Sequence, residues 1–295
     1  MKRPVITVCL LAPCAMASAH VLSDPAAPQA STTEWWVLLC LGLSLLMYAI
    51  GLLRLRQRTR GGRAVRLREA AYVIAGWIAL AVALASPLDG AGASSFSAHM
   101  VQHELLMIVA APLLVRGRPL GIWAWSLPRG WLRWFGGAMR GGAAGAAWHA
   151  LTRPLNAWLL HFFSLWLWHV PSLFQAALVH EGVHALQHAS FLFPALLFWW
   201  TVNGGDTQRR ASGGAIAYLF TTMLHTSALG ALFAMSERIW YPVYGLGATR
   251  YGLSPLEDQQ LGGLIMWVPG GLAYVIAGLV LCAGWLRLTP QKALP

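Results

Sequence analysis

Seven stretches of the chain, roughly 35–53, 70–88, 99–115, 154–171, 183–202, 214–235 and 262–286, are almost wholly apolar, and polar residues gather between them. Each is near the ~20 residues that a helix needs to cross ~30 Å of hydrocarbon. Lipid offers backbone groups no hydrogen-bond partner, so runs of this length predict helices and not open strands. The expected fold is all-α, a polytopic membrane bundle of about seven transmembrane helices forming a single domain over 35–295. The first nineteen residues, MKRPVITVCLLAPCAMASA, read as a signal peptide with a basic start, a short apolar stretch and Ala17-Ser18-Ala19 as its cleavage site. Residues 20–34 are then a short periplasmic segment.

Composition supports a chain built for lipid. Of 295 residues, 57% are hydrophobic and only 11% charged, against about a quarter charged in soluble domains. Sixteen tryptophans fit a membrane–water interface. A formal charge of +11 raises the question of nucleic acid, and its distribution answers it. The loop RLRQRTRGGRAVRLRE holds seven arginines, and 116–153 adds Arg116, Arg118, Arg129, Arg133, Arg140 and Arg153. Arg209, Arg210, Arg287 and Lys292 fall on the same side. The other side carries Arg238 and Arg250 against Asp24, Glu34, Asp89, Glu181, Glu237, Glu257 and Asp258. The positive-inside rule makes the basic side cytoplasmic, with the N-terminus outside and the C-terminus inside. The basic charge is a topology signal, and no nucleic-acid motif, Walker motif, nucleophile elbow or dinucleotide fingerprint accompanies it. Segment 116–153, rich in Trp and Arg, reads as an interfacial element on the anionic inner leaflet, with GGAMRGGAAGAA as a flexible connector.

Most of the ten histidines fall on the outer rim in this topology. His99 and His103 open the third span, His169 closes the fourth, and His184 and His188 open the fifth. Residues four apart on a helix are turned by about 40° and displaced by about 6 Å, so both imidazoles reach one centre. Two such pairs at one depth, on two helices, are a candidate metal site. A lone imidazole such as His149 or His180 is ordinarily an interfacial hydrogen-bonding group. His161 and His225 lie near mid-membrane, and His161 is about 12 Å from His169 along the axis, too far to share an ion. There is no C-x-x-C, so a metal here would use imidazole, thioether or carboxylate. Imidazole suits zinc, copper, iron and nickel; Met100 and Met107, flanking the first pair, tilt toward Cu(I), although methionine in a membrane helix ordinarily just packs. Glu104 reads as a ligand, an orienter of an imidazole or a proton carrier. Glu257 and Asp258 favour the N-terminal dipole of the last helix, or form a polar lid beside the histidines. Pro269-Gly270-Gly271 predicts a kink and a close helix approach.

Three stretches, FSAHMVQHELLMIVAAPLLVRGRPL, WLWHVPSLFQAALVHEGVHALQHASFLFPALLFWW and DQQLGGLIMWVPGGLAYVIAGL, resemble the polytopic CtaG-type cytochrome c oxidase assembly factors. The resemblance implies an accessory protein of the bacterial inner membrane, and with no nucleophile–base set or cofactor motif in the sequence no enzymatic role is expected. Its partners would be haem–copper oxidase subunits and periplasmic copper chaperones, and its cargo copper. By motif, His99, His103, His169, His184 and His188, with Glu104 and Asp258, are the positions it singles out. Two other functions remain open at this point: a b-type haem protein, using His161 and His225, and a metal-free scaffold for oxidase subunits.

Overall fold

A computed structural model describes residues 35–58, 63–204 and 213–288; the expected signal peptide and the segment to residue 34 lie outside the described residues. The regular elements among them are helices with no strand, as the hydropathy pattern requires, and residues 235–254 connect two of these helices through turns and short 3-10 segments. We number the helices α1 (Trp35–Arg58), α2 (Arg63–Ala85), α3 (Pro87–Ser94), α4 (Phe96–Glu104, continued by a π-helical turn Leu105–Ala110 and by Ala111–Gly117), α5 (Pro119–Ser126), α6 (Arg129–Arg140) and α7 (Gly142–Leu151). There follow α8 (Pro154–Trp168), α9 (Pro171–Val179), α10 (Glu181–Gly204), α11 (Gly213–Ala234) and α12 (Pro255–Ile265, a π-helical turn Met266–Gly270, and Gly271–Leu288).

Six of these helices are long and apolar enough to cross a membrane, α1, α2, α4, α10, α11 and α12. The expected span at 154–171 is different. It is a bent pair, α8 and α9, meeting at 77°, and the count becomes seven if the pair is one span. The break has a local cause: Pro171 cannot donate to a continuing helix and pushes Val170 into an extended conformation, ψ 128°. His169 stands at this corner as the C-cap of α8.

The core gathers around the break. Phe96, Phe174, Phe233 and Tyr241 form one aromatic group, with Phe174 and Tyr241 centroids 4.2 Å apart. Glycines set the close approaches. A Cβ on Gly230 would meet the Gly263 carbonyl and the Trp267 amide, so α11 and α12 pack backbone to backbone there.

Segment 116–153 departs from the expected interfacial loop with a flexible connector. Its first helix, α5, packs into α1: Trp123 Nε1 donates to the Ser44 carbonyl at 2.9 Å, and Arg54 donates to the Ser126 carbonyl at 2.8 Å. The expected connector is helical, forming the end of α6 and the start of α7, broken at Gly141, after which α7 opens on Gly142 with φ +75°. Five alanines, the strongest helix former, offset the five glycines of that stretch. Only α6 matches the interfacial reading: none of its residues is buried, and Trp131 and Trp134 are exposed between Arg129, Arg133 and Arg140.

Candidate metal centre

The first two turns of α4 carry the first histidine pair, and the start of the helix is fixed from the far end of the chain. Ser95 caps the helix through the Ala98 amide. The buried Asp258 carboxylate of α12 accepts from the Phe96 amide (2.6 Å), Ser95 Oγ (2.7 Å), the Ser97 amide (3.1 Å) and Ser97 Oγ. A negative charge on the unpaired amides of a helix N-terminus is favoured by hydrogen bonding and by the dipole together. Asp258 is therefore a clamp on the histidine helix. Glu257 serves its own helix through a capping box with Ser254, while Gln259 holds the α11–α12 connection through the Trp240 amide and the Arg238 carbonyl.

On this base the two pairs meet. Ring centroids are 4.4 Å apart for His99 and His103 and 4.2 Å for His184 and His188. Across the helices, His99 is 5.3 Å from His184 and 5.9 Å from His188, and His103 is 5.5 Å from His188. One ligand nitrogen from each of His99, His103 and His188 lies within 4.8 Å of the others. His169 joins from the α8–α9 corner, 6.1 Å from His103. All five histidines singled out from the sequence are thus in one cluster.

Hydrogen bonds decide which nitrogens face inward. His169 Nδ1 is 2.7 Å from the Leu165 carbonyl, which can only accept, so neutral His169 carries its proton on Nδ1 and presents Nε2 as a lone pair. His99 Nδ1 faces the Gly92 carbonyl at 3.4 Å in the same sense. Nε2 of His99, His169, His184 and His188, and both nitrogens of His103, have no hydrogen-bond partner among the described residues. Each unpaired buried polar atom costs about 1–3 kcal/mol. Several converging lone pairs suit a cation that takes imidazole, and aromatic rings pack against the cluster: Phe174 is 5.1 Å from His99 and Phe191 4.4 Å from His103.

The other predicted residues occupy different places. Met100 is fully buried with its Cγ turned to Gly262 of α12, and Met107 sits in the apolar core with its carbonyl accepting from Trp199 Nε1. Glu104 faces Gly270, where a Cβ would lie 3.1 Å from Oε2. His161 and His225 pair with each other deeper in the bundle, 5.9 Å apart.

Three polar residues near the cluster escaped the sequence reading. Gln102 is fully buried and donates to the Ala83 carbonyl (2.8 Å) and to Asp89 (2.9 Å). Asp89 in turn lies within electrostatic reach of His184. Gln187, between His184 and His188, is fully buried with neither amide atom partnered among the described residues. A glutamine inside an apolar run was the available signal for both. Tyr241, in the connection between α11 and α12, donates its hydroxyl to the His169 carbonyl at 2.7 Å. Burial pushes the Tyr241 hydroxyl above the ordinary phenol range, as it does for Tyr244 beside Asp258, so both stay protonated.

Among known proteins, the chain is similar to uncharacterized proteins of Mycobacterium bovis and Mycobacterium tuberculosis, each 28% identical over 253 residues, and to one of Mycobacterium leprae at 26%. The match covers 81% of this chain and 37% of each relative, so the chain spans little more than a third of their length. No solved structure matches it. The model of the cytochrome c oxidase caa3 assembly factor family (Caa3_CtaG) matches residues 46–288, which include every helix of the histidine cluster, and the chain belongs to that family.

Proposed function

We propose that the protein binds copper at the histidine cluster and passes it on during maturation of a haem–copper cytochrome c oxidase. The observation that carries this reading is the convergence of His99, His103 and His188 within 4.8 Å, with His184 and His169 adjoining. Family membership supplies the oxidase, and imidazole chemistry supplies the ion. Copper is cargo here, and the role is that of a non-catalytic accessory factor.

Its partners are oxidase subunits and a periplasmic copper donor, and its place is a bacterial inner membrane. The arginine-rich loops face the cytoplasm in this reading, so the histidine end faces the periplasm, where copper arrives. Asp89 beside His184 gives an arriving cation a first attraction. The clamp by Asp258 and the Nδ1 bond of His169 keep the donor set in place while the ion comes and goes.

The test is oxidase activity in cells grown at limiting copper. Replacement of His99, His103, His184 and His188 together by alanine is expected to lower activity toward that of a deletion strain, with recovery on excess copper. Full activity in that variant at limiting copper would leave a metal-free scaffold as the better account.

A further inference from the structure

Below the cluster a second polar group lies inside the bundle. His161 of α8, His225 of α11, Tyr274 of α12 and Glu104 of α4 come from four helices that share the apolar core. His161 and Tyr274 are each 3% exposed and His225 is 9% exposed. Tyr274 Oη lies 3.5 Å from His161 Nε2, and Glu104 is within electrostatic reach of Tyr274. His161 Nδ1, both ring nitrogens of His225 and Glu104 Oε2 have no hydrogen-bond partner among the described residues. Polar atoms left unpaired at mid-membrane are costly.

Size and donor set narrow what these atoms hold. The two imidazole centroids are 5.9 Å apart, a gap that two metal–nitrogen bonds of about 2.0 Å can bridge. Phe198 packs on His161 at 5.2 Å, and Phe162 and Trp158 pack on His225 at 5.0 and 5.3 Å, so apolar rings close in on the pair. The one group of three close His, Cys, Asp or Glu ligands among the described residues is the rim cluster, so this pair offers two nitrogens. Zinc takes four ligands; a soft monovalent ion such as Cu(I) accepts two. Along α8, His161 is eight residues from His169, about 12 Å deeper. Glu104, next in sequence to His103, lies on the way.

We propose that His161 and His225 form a second, intramembrane station for Cu(I), reached from the rim cluster past Glu104 and Tyr274. The identity of the ion rests on the copper reading of the rim; the second site itself rests on the pair. A cargo held first at the surface and then inside the bundle would be released toward a partner at mid-membrane depth.

The experiment is an anaerobic titration of the detergent-purified full chain with Cu(I) against a chromophoric chelator. Wild type is expected to bind two equivalents. His161→Gln with His225→Gln is expected to bind one, whereas His225→Met, which keeps a soft donor, retains two. His99→Ala with His103→Ala and His188→Ala is expected to bind one, with the X-ray absorption edge of two-coordinate Cu(I). One equivalent in wild type, unchanged by H161Q/H225Q, overturns the second station and leaves the rim reading standing. One equivalent that survives the rim variant and vanishes in H161Q/H225Q supports the station and overturns the rim. A Soret band that disappears with H161Q/H225Q assigns the pair to haem and overturns the proposal.

Discussion

An acid at the start of a membrane helix has a simple use on its own dipole, and Glu257 has that use. Its neighbour Asp258 spends four acceptor contacts on the first turn of α4 instead. Asp258→Ala is expected to destabilise the protein by about 3 kcal/mol, since hydrogen bonds to a buried charge contribute about 1.5–3 kcal/mol each and water recovers part of the loss. Thermal unfolding in detergent measures this, and metal affinity should fall with it because His99 sits in the clamped turn and His103 one turn further along the same helix. A normal midpoint with normal affinity would show that the clamp is dispensable. Tyr241→Phe removes one hydrogen bond to the His169 carbonyl and should cost about 1 kcal/mol without abolishing metal binding. The histidine pairs were legible because a spacing of four has a fixed meaning on a helix. Asp258 was legible only as an acid near the rim, because its partners lie 161 to 163 residues away in the chain.

At the scale of elements, hydropathy located the spans because lipid imposes both length and polarity on a crossing helix. It could not resolve the corner at His169-Val170-Pro171, where apolar sequence continues through a 77° bend. That corner matters for the site, since it turns His169 toward the cluster and lays α9, through Phe174, over His99. Nor did it identify α5 as part of the bundle, because eight residues are too few to register as a span. The contact between α5 and α1 depends on Gly51, where any Cβ would run into the Ile122 carbonyl. Gly51→Val is expected to separate these helices and cost about 2–3 kcal/mol, within the usual range for overpacking. Proteolysis should then cut near residues 119–128 first, while copper binding at the distant cluster is kept. Unchanged protease resistance would contradict the packing role given to Gly51.

Across the whole molecule, charge and chemistry separate to opposite ends. Arg54, Arg56, Arg58, Arg116, Arg118 and the exposed arginines of α6 lie with one set of helix ends, and the five-histidine cluster lies with the other. The proposed orientation predicts that a cysteine placed at Glu181 reacts with a membrane-impermeant maleimide on intact cells and that one placed at Arg133 does so only after lysis. The reverse pattern would put the histidines in the cytoplasm and remove the periplasmic copper donor from the account. The claim on which the rest depends is that the rim histidines hold copper. Its most direct test is the Cu(I) affinity of the purified protein before and after His99→Ala with His103→Ala. Loss of a supporting residue alone typically weakens a metal site 10- to 100-fold, so removing two donors should weaken the rim site by about 100-fold or more. An affinity unchanged by that pair of substitutions would contradict the account.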